Sequence, residues 1–152
     1  MSPSLSFFDN IEANQIAYFC FGNRDRADDA FGLIVAEKLA KFYPKNVFSE
    51  EIEDISTFLV DIIEEDMFDA VILIDAVDYG AKPGSLLVTS DISNHIRSIS
   101  SHSIPLQQIK EIIDIKHKDF LFIGAQVKSI EFMKEPSKEI EDAVEKVLDL
   151  LT

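Results

Sequence analysis

The rhythm of hydrophobic and polar positions changes several times along the chain. Val71-Ile72-Leu73-Ile74 is an unbroken aliphatic run that gives way to Asp75-Ala76-Val77-Asp78-Tyr79-Gly80. Continuous apolarity is what a parallel strand covered by helices on both faces requires, so this stretch predicts a central strand with its exit at Asp75. Upstream, Ile16 to Phe21 is apolar and aromatic and predicts a buried first strand, which runs into the polar loop Gly22 to Asp29. The period then becomes helical. Phe31, Ile34, Val35, Leu39 and Phe42 recur every three or four positions, an apolar stripe that leaves Glu37, Lys38 and Lys41 to water and ends before Pro44. Val47 to Glu51 predicts a second strand. Asp54 follows as the N-cap of an amphipathic helix marked by Ile55, Phe58, Leu59, Ile62 and Ile63.

Strand, helix, strand, helix, strand predicts a parallel sheet with right-handed crossovers. In the second half, the turn Pro83-Gly84 leads into Leu86-Leu87-Val88, a connection so short that this strand must run antiparallel, at an edge. Ser90 to Ser103 is polar and precedes a helix with Leu106, Ile109, Ile112 and Ile113 on its buried face, so His102 stands at a helix entrance. Phe120 to Ile123, closed by Gly124, predicts the last strand, and Ala125 to Glu135 an irregular connection. Ser137 caps a final helix whose stripe is Ile140, Ala143, Val144, Val147, Leu148 and Leu151. The expected architecture is α/β in three layers: a five-stranded, mostly parallel sheet with one antiparallel edge strand and helices on both faces. Residues 1–152 read as a single domain, 1–14 being an N-terminal extension and 15–152 the folded unit.

Composition narrows the partners. With 14 Lys and Arg against 28 Asp and Glu, the net charge of −14 repels nucleic acid and anionic membrane surfaces and attracts cations or basic protein segments. No apolar run is long enough to span a bilayer, and Met1 to Asn10 lacks the pattern of a secretion signal. The single cysteine, Cys20, lies inside a predicted strand and reads as a small buried hydrophobe. A cytoplasmic protein is expected.

The loop after the first strand has only Gly22 where a dinucleotide fingerprint needs three glycines, and its acids would repel a pyrophosphate. No Walker sequence or serine-hydrolase elbow occurs. What remains is a set of donors at different strand and helix ends: Asp28 or Asp29, Asp75 or Asp78, and His102. Loops that leave one edge of a parallel sheet converge, and two carboxylates with an imidazole suit a borderline divalent ion while leaving coordination positions open. Each residue also has a plainer role available. Asp28 fits an N-cap of the first helix, Asp29 fits the positive end of the same helix, Asp75 fits turn bonding, and His95 and His117 fit the surface.

The segments Gly22-Asn23 through Asp28-Asp29 and Gly32, Asp75-Ala76-Val77-Asp78-Tyr79-Gly80 with Pro83-Gly84, Ser101-His102, and Ile123-Gly124-Ala125-Gln126 together resemble the hydrogenase maturation protease family over about residues 16–151. The resemblance implies a cytoplasmic endopeptidase that removes the C-terminal extension of a [NiFe] hydrogenase large-subunit precursor after nickel insertion. Asp29, Asp75 and His102 match the family's metal-contacting residues, with nickel brought by the substrate. Asp78 and Glu51 are then the spare carboxylates within reach for proton transfer. The chain departs from the family at Ala30, and at Glu51-Ile52-Glu53, where an acid and two glycines are usual. Two other classes stay open: a non-catalytic module or chaperone of this fold that recognises a nickel-loaded protein, and a small-molecule enzyme on a doubly wound scaffold.

Overall fold

The computed structural model describes residues 11–49, 61, 65, 67–91, 97–98 and 106–152. A 3-10 turn at Ala13–Gln15 leads into β1 (Ile16–Cys20), and a second at Ala27–Ala30 into α1 (Phe31–Leu39). There follow β2 (Val47–Ser49), β3 (Ala70–Asp78), β4 (Leu86–Thr89), β5 (Arg97–Ser98), α2 (Leu106–Ile115), β6 (Asp119–Gln126) and α3 (Lys138–Leu151). The main path of the sheet is β2-β1-β3-β6-β4, with the two-residue β5 pairing the end of β3. β2, β1, β3 and β6 are parallel and β4 is an antiparallel edge, as the short connection from β3 demanded. Of the helix predicted over Ile55–Ile63 only Asp61 is described, in helical conformation, while its cap Asp54 and Glu51 lie outside the described residues.

β1 and the first eight residues of β3 are fully buried, which explains why they read as continuous apolar runs. Side chains alternate between two cores. Ile16, Tyr18, Cys20, Ile72, Ile74 and Ile123 point toward α1 and α3, while Phe19, Leu73, Val77 and Phe122 pack with Ile109 and Ile113 of α2. Helices therefore cover both faces. α3 follows its prediction closely: Ser137 caps it, Ile140 N donating to Ser137 Oγ at 3.3 Å, and all six stripe residues are buried.

Several boundaries differ from the sequence reading. α1 stops at Leu39, and Phe42, expected on its stripe, is 59% exposed beyond the helix end. β3 does not exit at Asp75 but continues through Asp78, because β6 and β5 still offer partners there: Asp75 pairs with Gly124 and Asp78 with Arg97. Likewise β6 passes through Gly124 to Gln126, so the connection to α3 begins at Val127 rather than Ala125. The glycine belongs inside the strand for a steric reason. A Cβ there would meet Val77 Cγ2 at 2.8 Å and Phe122 Cε2 at 2.9 Å.

Candidate active site

β1 ends at Cys20, which pairs with Ile74, so Asp75 is the first β3 residue beyond the shared ladder. It lies at the sheet's C-terminal edge, where open α/β sheets place their ligands. By alternation it belongs with Leu73 and Val77 on the α2 face. Asp75 is fully buried, and its Oδ1 accepts from Ala76 N at 2.8 Å. Its charge, after burial itself, pushes the neighbouring Cys20 thiol far above the usual thiol range. Cys20 is thus an inert buried hydrophobe, as its place in the strand implied.

Asp29 arrives from the other side of the edge. After β1 the chain turns through Gly22, and the 3-10 turn that carries Asp29 packs against β3. Its backbone is held tightly: Asn23 N donates to Asp29 O at 3.0 Å, and Asp29 N donates to Arg26 O at 3.0 Å. The following helix starts directly on the strand ends. Phe21 N donates to Ile74 O at 2.9 Å, and a Cβ on Gly32 would collide with Phe21 O and approach Ile74 O to 2.9 Å. Only glycine lets α1 sit this close, which brings the Asp29 turn down onto the end of β3. Asp29, like Asp75, is fully buried. Its place is the 3-10 turn, not the first turn of α1.

Asp28 has a different task from the one its position suggested. It is not the side-chain cap of α1. Its carboxylate instead accepts from Lys128 N at 2.6 Å, Ser129 N at 3.2 Å, Ser137 N at 2.7 Å and Ser137 Oγ at 3.0 Å. Asp28 N in turn donates to Ser129 O at 3.0 Å. The side chain thereby fastens the loop from β6 to α3 onto the turn that carries Asp29. Its partners lie about a hundred residues away in sequence, beyond the reach of local spacing.

Asp78, at the exposed end of β3, is also engaged. Gln126 Nε2 donates to Asp78 Oδ1 at 3.1 Å, and Gln126 Oε1 accepts from Tyr79 N at 2.8 Å and Ala81 N at 3.3 Å. Gln126 is a residue to which sequence reading gave no role, although a polar amide closing a buried strand is a signal that it satisfies a neighbouring loop. His117 is exposed at the end of α2, as expected. His102, His95 and Glu51 lie outside the described residues. α2, which begins at Leu106 shortly after His102, packs on the face that carries Asp75. Among the described residues no group of three or more His, Cys, Asp or Glu is placed to hold a metal ion. Two of the three proposed donors, Asp29 and Asp75, lie on adjoining elements at one edge, and two carboxylates with an imidazole form a donor set suited to a borderline divalent ion.

An α/β domain of this topology, with two buried acids at the C-terminal edge of its sheet, has close counterparts among known proteins. The sequence model of the hydrogenase maturation proteases (HycI) matches residues 35–152, and the chain belongs to that family. It is 28% identical over 147 residues to the hydrogenase expression/formation protein HupD of Bradyrhizobium diazoefficiens, covering 90% of this chain and 76% of the relative. It is 26% identical to the hydrogenase 3 maturation protease of Escherichia coli K12, covering 87% and 85%. The crystal structure of a [NiFe] hydrogenase maturation protease HycI from Thermococcus kodakarensis superposes with a TM-score of 0.75 at 26% identity, covering 96% of this chain and 94% of that one. Asp75 and the position of His102 fall within the span of the family match, and Asp29 just before it.

Proposed function

We propose that this protein is a cytoplasmic endopeptidase that removes the C-terminal extension of a [NiFe] hydrogenase large-subunit precursor once nickel has been inserted. Family membership supports the protease activity, and the observation that carries the site is the pair of fully buried carboxylates, Asp29 and Asp75, on adjoining elements at the sheet's C-terminal edge. Two carboxylates together with an imidazole form a donor set suited to a borderline divalent ion, so this edge suits a substrate that brings one. Among the described residues no helix is long and apolar enough to cross a membrane.

In this reading nickel is part of the substrate. Asp29 and Asp75 each offer carboxylate oxygen to it, and His102 an imidazole nitrogen, which fixes the precursor's cleavage region relative to the sheet edge. The ion supplies Lewis acidity at the scissile carbonyl or an adjacent water. The protein's own contribution is orientation: Gly32 and the Asp28 bonds hold the Asp29 turn, and the β-ladder with Gly124 holds Asp75. Asp78 is bound to Gln126 and serves the turn after β3.

The test is to incubate a cognate nickel-loaded precursor with the wild-type protein and with Asp75→Asn, and to weigh the products by mass spectrometry. Wild type should release one C-terminal fragment and the variant none. Binding of the precursor by wild type without any cleavage would overturn the endopeptidase reading in favour of a recognition module.

A further inference from the structure

A groove of about 570 Å³ runs between α1 and α3 on the face opposite α2. Its floor is apolar, formed by Ala30, Ile34 and Val144, and its walls carry Glu135, Glu141 and Asp142. The two cations that line it are already committed, Arg24 to Glu37 at 2.9 Å and Lys38 to Glu145 at 2.9 Å. Among the described residues no ion pair reaches Glu135, Glu141 or Asp142. These uncompensated carboxylates sit on a chain that is negative overall, so the groove favours a positively charged occupant.

Next to the groove the protein exposes two large apolar side chains side by side. Phe132 is 67% and Met133 74% accessible. Their backbone is fixed: Met133 adopts a φ of 63°, in the left-handed region that such a residue seldom enters, and its N–H donates to Asp25 O at 2.6 Å. Arg26 Nε donates to Ile130 O at 3.3 Å, and Asp28 holds Lys128, Ser129 and Ser137. Both chains that meet at the Met133–Asp25 bond continue into the groove, one through Arg24 and the other through Glu135. Lys134, between them in sequence, does not line it. A strained, well-bonded loop that presents adjacent aromatic and thioether side chains to water has the character of a contact surface.

We propose that this groove, together with Phe132 and Met133, docks a basic segment of the precursor polypeptide that carries a bulky apolar side chain. The proposal rests on the protease reading above and adds where, and by what chemistry, the precursor is gripped. Basic side chains meet Glu135, Glu141 and Asp142, and the apolar side chain packs on the Phe132–Met133 pair. The same loop is bonded to the turn that carries Asp29, so a segment held here is held in register with the candidate site.

The probe is a fluorescent synthetic peptide of about ten residues, rich in Lys and Arg around a central Leu pair, titrated by anisotropy at low and high salt against the full chain. Glu141→Lys with Asp142→Lys, and separately Phe132→Ser with Met133→Ser, should each weaken binding by about tenfold or more, and salt should weaken the wild-type complex. Glu111→Lys, an exposed charge reversal on α2, should change binding by less than about twofold. All these positions are exposed, so every variant should stay folded, with the Glu141→Lys, Asp142→Lys pair melting a few degrees lower because it places cations near the N-terminus of α3. Loss of affinity in Glu111→Lys equal to that in the groove variants, or no peptide binding at all, overturns the docking site. Groove-dependent peptide binding by a protein that cleaves no precursor would leave the docking site standing and remove the protease reading. Precursor cleavage with KM unchanged in both groove variants would do the reverse.

Discussion

Asp28 and Ser137, 109 residues apart in sequence, are joined twice: Ser137 N donates to Asp28 Oδ1 at 2.7 Å and Ser137 Oγ to Asp28 Oδ2 at 3.0 Å. The same serine caps α3 through Ile140 N. One buried carboxylate thus ties the turn before α1 to the start of α3. Removing it strands four part-buried donor groups at once. Asp28→Ala should cost about 3 kcal/mol or more in urea unfolding, and Asp28→Asn, which keeps the shape but turns one oxygen into a donor facing donors, an intermediate amount. A loss below about 1 kcal/mol for the alanine variant would instead match a simple cap on its own helix.

Asp75 allows charge to be separated from structure. Asn at this position keeps an oxygen for the Ala76 N–H bond while losing the negative charge. Asp75→Asn should therefore purify as a folded protein with activity lowered by more than about 100-fold, and Asp29→Asn and His102→Ala should fall similarly if all three touch the same ion. Turnover near wild type in any one of them would remove that residue from the set. Circular dichroism beside the cleavage assay distinguishes lost chemistry from lost fold.

The sequence carried the layers of this fold because its helices and buried strands keep clean periods. The stripe from Ile140 to Leu151 and the run from Val71 to Ile74 needed no tertiary information. Strand ends were less legible. Whether β3 stops at Asp75 depends on whether β6 and β5 still offer partners beyond it, and those partners come from distant sequence. The same limit explains Asp28. Its local setting fits a helix cap, and only the folded chain brings Lys128, Ser129 and Ser137 to it. Asp29 and Asp75 stood out as acids at loop and strand ends, and they do occupy adjoining elements of the C-terminal edge. The amide of Gln126 signalled that it satisfies a nearby loop, but not that its partners are Asp78, Tyr79 and Ala81, almost fifty residues upstream.

Two glycines hold this edge by close approach, and they should differ in cost. Alanine at 124 meets the side chains of Val77 and Phe122, which can shift, so Gly124→Ala should lose about 1–3 kcal/mol. Alanine at 32 meets the backbone carbonyls of Phe21, just past β1, and of Ile74, inside β3, which cannot move without disturbing the sheet. Gly32→Ala should thus be the more destabilised of the two, and its folded fraction should also cleave more slowly because the Asp29 turn is lifted from β3. Equal melting temperatures for the two variants would contradict this packing.

Burial, followed by the Asp75 charge, pushes the Cys20 thiol pKa up. The folded value therefore lies above the unfolded one of about 8.5, and the neutral thiol is the form the native state favours. The contribution of Cys20 to stability is whole below that pH and declines as pH rises above it, where the unfolded chain gives up its proton first. Cys20→Ala should flatten that part of the stability curve above pH 8.5 relative to wild type, measured by urea unfolding across pH. In the native protein Cys20 should resist thiol reagents until the chain unfolds, and rapid labelling under native conditions would contradict its burial.

The central claim is that the precursor brings the ion to Asp29, Asp75 and His102. Two carboxylates and one imidazole, without thiolates, form a weak nickel site by themselves, so the remaining affinity must come from the substrate. The direct measurement is single-turnover cleavage of one cognate precursor in nickel-loaded and nickel-free forms, read by mass analysis of the C-terminal fragment, with free nickel added to the protein alone as control. The account predicts fragment release from the loaded precursor only, and no rescue of the nickel-free form by preincubating the protein with the ion. Equal cleavage of both forms would contradict it.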